Sequence, residues 1–157
     1  MQQLVAILLV ALFLLPNPAL CGTGSKEATY VGGTLPIKEL TEGKSFTENE
    51  RVFVFEYKNG KEHPRWEIPY AKIDSLEYGQ KAGRRGGSVV LSPLVLFSKK
   101  RKHFLTIGYI DAAGKQQAAV FELGKDIIRT TLAILEARTG KKIEYQDDEA
   151  RKSGRGN

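Results

Sequence analysis

The chain has 157 residues, with one cysteine, two histidines and a formal net charge of +6 at pH 7. A single cysteine excludes an internal disulfide, so a folded domain must be stable through its core alone. His63 and His103 have no partner at metal-ligand spacing, which argues against a zinc site or a histidine-based catalytic site. The length predicts one domain.

The N-terminus is the first feature that predicts a location. Residues 4–15 form an unbroken apolar run that ends at Pro16 and Pro18. This run is shorter than the roughly 20 residues of a membrane-spanning helix and is typical of a secretory signal. We therefore expect residues 1–21 to be a signal peptide and the mature protein to be periplasmic or secreted. Retention of the segment as a membrane anchor and lipidation of Cys21 are the alternatives.

After a flexible lead-in at residues 22–28, short alternating segments predict a sheet. Strands are expected at residues 29–35, 44–46, 50–57, 65–69 and 73–80. Phe53 and Phe55 share one face of the third of these. Asn59-Gly60 is the typical dipeptide of a β-hairpin, so the strands on either side of it are expected to pair.

Residues 104–140 predict a compact unit of two strands and a helix. Each strand, at 104–110 and 117–123, places three side chains on one face: Leu105, Ile107 and Tyr109 in the first, Ala119, Phe121 and Leu123 in the second. Asp111 and Gly114 predict the turn between them. An amphipathic helix is expected from about Lys125 to Gly140.

Three further segments complete the chain. Residues 88–97 are an apolar run containing Pro93, for which we expect a bent connector with part of its surface on the core. Residues 143–145 are expected to add a short extended piece. Residues 146–157 are charged and lack apolar periodicity, so a disordered tail is predicted there.

Together these elements predict an α+β, mainly β fold. About seven strands, most of them antiparallel neighbours, would form a strongly bent sheet or a partly open β-barrel capped by one C-terminal helix. The order of elements resembles a pleckstrin-homology-like domain over residues 29–145. Within it, five stretches are similar to uncharacterised exported bacterial proteins: Tyr30-Val31-Gly32-Gly33-Thr34, Ile68-Pro69-Tyr70, Leu76-Glu77-Tyr78-Gly79, Lys102-His103-Phe104-Leu105-Thr106-Ile107 and Leu135-Glu136-Ala137-Arg138-Thr139-Gly140.

This resemblance implies a fold rather than a function, because the fold hosts unrelated functions. Members that bind phosphoinositides usually have basic residues between the first two strands. Here that region holds Lys38, Glu39, Glu42 and Lys44, which balance one another. Phosphoinositide binding is therefore not implied.

The positive charge is concentrated in one segment. From Gly79 to Lys102 the chain has cations and no acidic residue, and the rest of the chain is close to neutral. The segment also contains the apolar run, and apolar bulk beside cations is attracted to an anionic membrane surface. The candidate contact residues are Arg84, Arg85, Lys99, Lys100, Arg101 and Lys102. A solvated surface loop is the other interpretation of the same charges.

No catalytic constellation, metal site or cofactor motif is predicted. The serines lack a nucleophile-elbow context, and the glycines at 83–87 lack phosphate-loop spacing. We expect a non-enzymatic exported interaction module that contacts an anionic envelope component or a membrane surface. The alternative is a protein partner bound at a sheet edge or in the groove between sheet and helix. Export argues against nucleic acid as the partner.

Overall fold

The computed structural model describes residues 26–80 and 102–156, which form eight strands and two helices. The strands are β1 (Glu27–Gly33), β2 (Thr41–Phe46), β3 (Val52–Tyr57), β4 (Arg65–Pro69), β5 (Ile73–Gly79), β6 (His103–Ile110), β7 (Gln116–Leu123) and β8 (Ile143–Tyr145). The helices are α1 (Ile128–Thr139) and α2 (Asp148–Arg155), and Tyr70–Lys72 form a 3-10 turn between β4 and β5.

All eight strands belong to one sheet, in the order β4-β3-β2-β1-β7-β6-β5-β8. Neighbouring strands are antiparallel except β5 and β8, which run parallel. The sheet is curved and unclosed, with β4 and β8 at its two ends, and the architecture is consistent with a pleckstrin-homology-like α+β fold. The predicted strongly bent, unclosed sheet with a helix near the C-terminus is therefore confirmed, and the sheet is not a closed β-barrel. The sheet is also mixed rather than purely antiparallel, because β8 pairs in parallel.

The predicted faces of the central strands are confirmed. Leu105, Ile107 and Tyr109 of β6 are buried in the core, and so are Ala119, Phe121 and Leu123 of β7. Aromatic rings fill the space under this face: the Phe121 centroid lies 5.2 Å from that of Phe55 and 5.3 Å from that of Phe53. Helix α1 covers the same face with Ile128, Leu132 and Leu135, each at most 2% exposed.

Polar groups and glycines define the ends of these elements as the sequence predicts. Asp111 Oδ1 accepts the backbone N–H groups of Ala113 at 2.8 Å and Lys115 at 2.9 Å, which closes the β6–β7 turn. Gly114 has a φ of 77° and Gly140 a φ of 67°, values that favour glycine. Gly140 ends α1, and its N–H donates to the carbonyl of Glu136.

The prediction of a disordered tail at residues 146–157 is wrong for Asp148–Arg155, which form α2. The helix begins because the side chain of Asp147 accepts the N–H of Ala150 at 2.7 Å. Ala150 and Gly154, one helical turn apart, are the buried residues of α2. Small residues at these positions let the helix approach the core closely, and they leave no large apolar periodicity in the sequence.

Several element boundaries differ from the predictions. Strand β1 begins at Glu27, inside the predicted lead-in, and β2 extends from Thr41 rather than from Lys44. Helix α1 begins at Ile128 instead of Lys125. The predicted signal peptide and the apolar run at 88–97 lie outside the described residues. In residues 26–80 and 102–156, no helix has the length and apolar character needed to cross a membrane.

Candidate functional site

Of the predicted basic cluster, Lys102 alone is among the described residues. Arg84, Arg85, Lys99, Lys100 and Arg101 lie outside the described residues. Lys102 immediately precedes β6, and its Nζ donates to Glu122 Oε2 on β7 at 2.7 Å. A lysine paired with a carboxylate on the neighbouring strand attracts an anion less strongly than a free lysine does. The one described member of the cluster is therefore part of an ion pair.

The two histidines lie in different environments. His63 is exposed in the loop before β4. His103 Nδ1 lies 2.6 Å from the hydroxyl of Tyr78, which also donates to Ser153 Oγ at 3.2 Å. Burial lowers the pKa of His103. These contacts join α2 to β5 and β6. Among the described residues, no group of three or more His, Cys, Asp or Glu side chains could hold a metal ion.

The described residues form surface grooves that are large enough for a ligand fragment. A groove of about 550 Å³ lies over β1, β2, β3 and β7, and its lining includes Glu42, Lys44 and Glu56. A second groove, of about 600 Å³, lies between α1, α2 and β8, where Arg155 is 3.6 Å from Glu136. Charges of both signs line each groove, so neither favours a strongly charged ligand.

On the side of β4 that faces away from β3, main-chain groups have no partner among the described residues. At the two ends of the β3–β4 ladder, Tyr57 N–H donates to Pro64 O at 3.1 Å and Tyr70 N–H donates to Arg51 O at 2.9 Å. The register between the strands contains no bulge. Because hydrogen-bonding direction alternates along an antiparallel strand, the main-chain groups of Trp66 and Ile68 also point toward β3. Those of Arg65, Glu67 and Pro69 point away from the sheet.

The residues with outward main-chain groups are also the exposed residues of β4. Arg65, Glu67 and Pro69 are exposed, whereas Trp66 is partly buried and Ile68 is buried. The N–H groups of Arg65 and Glu67 find no partner in the part of the chain that the structure describes. Proline has no N–H, so Pro69 offers only an acceptor. The edge thus presents two donors and three acceptors over a short length.

Trp66 holds this edge against the rest of the sheet. Its side chain packs against the core. Burial raises the pKa of Tyr109 on β6, while hydrogen bonds from the side chains of Trp66 and Thr34 lower it. The indole of β4 thus reaches β6 across the inner face of the sheet. A strand fixed in this way presents its free groups in one conformation, which reduces the entropy lost when a partner binds.

A row of alternating charges crosses the outer face of the sheet and ends at β4. Glu27 is opposite Lys44, Lys44 is opposite Glu56, and Glu56 is opposite Arg65. Arg65 Nε lies 3.5 Å from Glu56 Oε2. Opposite charges on directly facing residues stabilise a strand pair, whereas like charges destabilise it. At the end of this row, Arg65 favours an acidic residue on any strand that pairs with β4.

The other end of the sheet is partly covered. Gln146 N–H donates to Tyr78 O, so the N–H groups of β8 that point away from β5 belong to Ile143 and Tyr145. The outward N–H of Ile143 donates to Glu136 Oε1 on α1 at 3.0 Å. Helix α2 packs beside β8, with the Tyr145 ring near Gly154. Of the two outward N–H groups, that of Ile143 is thus occupied by a side chain, whereas that of Tyr145 has no partner among the described residues.

A sheet edge is one of the alternative binding surfaces predicted from the sequence, without particular residues. The available signal was the pair of prolines, Pro64 and Pro69, that bracket the strand. Proline within a sheet is confined to edge strands, strand ends and bulges, because it cannot donate to a ladder. Together with the exposed charges of Arg65 and Glu67, this signal identifies β4 as an edge strand.

Comparison with known proteins assigns no family to the chain. No protein-family model matches it, and a search of curated proteins finds no match either. The function is therefore inferred from the geometry described above.

Proposed function

We propose that this protein is a non-enzymatic, exported binding module that takes an extended segment of a protein partner as an added strand at the β4 edge. The supporting observation is the outward direction of the exposed main-chain groups of Arg65 and Glu67, on a strand fixed by Trp66. In strand addition, main-chain hydrogen bonds provide affinity and alternate side chains provide specificity.

The side chains of β4 favour a particular kind of partner strand. On the outer face, Arg65 and Glu67 favour a partner with an acid and a base two residues apart. On the inner face, between these charges, Trp66 favours an apolar residue. An uncharged or purely apolar strand would leave Glu67, which lies opposite Val54, without an opposite charge, and Arg65 with Glu56 alone. This pattern selects against indiscriminate edge pairing, which is the usual hazard of an open edge.

The basic segment supports a second candidate function, contact with an anionic envelope component or a membrane surface. Its support is the run of cations without an acid between Gly79 and Lys102. The two functions differ in salt dependence. Binding through exposed cations weakens as salt shortens the Debye length, whereas binding through main-chain hydrogen bonds and apolar contact persists.

Panning a random heptapeptide phage library against the full-length protein tests the leading proposal. Synthetic copies of the selected peptides are then mapped by amide hydrogen exchange. We expect them to protect the amide hydrogens of Arg65 and Glu67 and to bind at low and high salt alike. Peptides that protect amides elsewhere, or a library that yields no binder for a monomeric protein, would contradict the proposal.

Two substitutions at one position separate the main-chain contact from the side chain. Glu67→Pro removes an outward N–H and leaves the hydrogen bonds to β3 in place, so peptide binding should be lost. Glu67→Ala keeps the N–H, so binding should weaken only slightly. Vesicles containing phosphatidylglycerol test the second candidate, which predicts association at low salt that is lost at high salt.

A further inference from the structure

We infer that the strand complementary to the β4 edge is β4 of a second copy of this chain, paired antiparallel about a two-fold axis at Trp66. This inference rests on the proposed function, since it names the partner strand at the same edge. The two sheets would then be continuous across the axis. The resulting contact is isologous, as in most homodimers.

The direction of the main-chain groups permits this pairing. With Trp66 opposite Trp66 of the second copy, Arg65 lies opposite Glu67 and Glu67 lies opposite Arg65. Both residues have outward N–H and C=O groups, so each of these positions is a hydrogen-bonded pair. The edge would thus gain about four main-chain hydrogen bonds, and Trp66 would occupy the non-hydrogen-bonded position between them.

The charges are complementary in the same register. Arg65 and Glu67 lie on the outer face of β4, on either side of Trp66. Each guanidinium would face a carboxylate across the two-fold axis, and this happens twice because of the symmetry. The pairing also extends the alternating row, so that Glu56, Arg65 and Glu67 of the second copy follow one another.

Neighbouring registers are less favourable. A shift that centres the axis on Arg65 places two arginines directly opposite each other. A shift the other way centres the axis on Glu67, which places two glutamates opposite each other and brings Arg65 opposite Pro69, which has no N–H to donate. Like charges on directly facing residues destabilise a strand pair. One register therefore combines paired charges with complete hydrogen bonding.

Trp66 adds apolar contact at the axis. The two indoles would be directly opposite in a non-hydrogen-bonded pair, where facing side chains approach most closely. Aromatic pairs at such positions stabilise strand pairing beyond the area they bury. Because Trp66 already packs against the core, little side-chain freedom is lost when the second indole arrives. The short ladder predicts a reversible dimer rather than a permanent one.

Sedimentation velocity of charge-reversed full-length variants tests the inference. Arg65→Glu places glutamates at both positions, and Glu67→Arg places arginines at both. Each variant alone should self-associate at least about tenfold more weakly than the wild type, because both cross-axis pairs become repulsive. An equimolar mixture of the two variants should restore dimers, since every glutamate then faces an arginine.

Matched controls change the same charges away from the edge. Lys61→Glu and Glu62→Arg reverse exposed side chains in the β3–β4 loop, so their self-association should equal that of the wild type. Glu67→Pro removes an outward N–H from each copy and should also prevent dimers. Arg65→Glu also places a glutamate directly opposite Glu56 within the same chain, which destabilises the β3–β4 pair. If that variant does not fold, Glu67→Pro still tests whether the dimer needs the β4 edge.

The outcomes distinguish this inference from the proposed function. A monomeric wild type whose Arg65 and Glu67 amides are nonetheless protected by library peptides would overturn the dimer and leave strand addition standing. A monomeric wild type whose Arg65 and Glu67 amides are not protected by any library peptide would overturn both proposals. A wild-type dimer that persists in Arg65→Glu and Glu67→Arg alone would overturn the β4 register, because both pairs would then be repulsive.

Discussion

The β8 edge and the β4 edge terminate the same sheet, but their outward main-chain N–H groups differ in whether they have hydrogen-bond partners in the described chain. At β8, Glu136 accepts the outward N–H of Ile143, and α2 packs alongside. At β4, the outward N–H groups of Arg65 and Glu67 meet no described residue. Cover at one end and charge at the other are two ways of protecting an edge. The charges of Arg65 and Glu67 disfavour pairing of β4 with most strands but favour a strand with complementary charges, so β4 is selective for its partner strand.

The largest expected effect comes from disturbing the helix that covers β8. A Cβ built on Gly154 would lie 2.7 Å from a ring carbon of Tyr145 and 3.1 Å from Leu132. Gly154→Leu should therefore displace α2 and lower the free energy of unfolding by about 3 kcal/mol. Urea denaturation measures the loss, and amide exchange should show new opening at β8.

The matched control is Lys152→Leu, at an exposed position of the same helix. It should change the free energy of unfolding by less than about 0.5 kcal/mol, because nothing packs against an exposed side chain there. Equal stability of the Gly154→Leu and Lys152→Leu proteins would show that α2 does not hold the β8 end.

The second-largest expected effect comes from removing the Glu136 carboxylate that accepts the outward N–H of Ile143. Glu136→Ala removes the acceptor of the Ile143 N–H and should cost about 1 kcal/mol. Exchange of the Ile143 amide should become faster, approaching that of an amide without a hydrogen-bond partner. Glu136→Gln keeps an acceptor oxygen and should retain most of the protection, which separates the hydrogen bond from the contact with Arg155.

The control for Glu136→Ala is the removal of a carboxylate next to Ile143 in the chain, that of Glu144. Glu144→Ala alters an exposed side chain on the same strand, and the Ile143 amide should exchange as in the wild type. If Glu136→Ala also leaves that exchange unchanged, the Ile143 N–H is protected by something other than the carboxylate. The contrast between a covered edge and an open edge would then lose its physical basis.

The same two edges show how far sequence patterns reach. Strands β6 and β7, their turn at Asp111 and helix α1 follow from local alternation and spacing, so the sequence predicts them well. Helix α2 has only Ala150 and Gly154 on its buried side, and small residues give no hydrophobic periodicity. The pairing of β8 with β5 joins Ile143 to Leu76, a contact far apart in the chain that no local pattern specifies.

The candidate site is harder still to predict, because it is defined by which main-chain N–H and C=O groups of β4 point away from the sheet. The net positive charge indicates the segment before β6 as a binding surface. Its candidate anion-contact residues, other than Lys102, lie outside the described chain. Arg65 and Glu67, with one charge of each sign, add nothing to the net charge. Their importance depends on β4 being at the end of the strand order, which is a property of the whole sheet.

The smallest expected effect is a pH dependence confined to the β8 side. Burial lowers the pKa of His103, with the charge of Glu122 opposing this shift. Below the ordinary histidine pKa of about 6.5, the unfolded chain binds a proton that the folded chain does not yet bind. Stability should therefore fall as the pH is lowered from about 7 toward 5. Protonation would also alter the hydrogen bond between His103 Nδ1 and Tyr78, which supports Ser153 on α2.

Urea denaturation at a series of pH values checks this dependence in three proteins. His103→Gln removes the titrating group, so its stability should fall less than that of the wild type over the same interval. His63→Gln, at an exposed site, should follow the wild type. In the wild type, exchange of the Gln146 amide, which donates to Tyr78 O, should increase at low pH while exchange at Arg65 stays unchanged, because no histidine hydrogen bond supports β4 in the described chain. Parallel pH profiles for all three proteins would mean that His103 titrates alike in the folded and unfolded chains, and the closure of the β8 end would then be independent of pH.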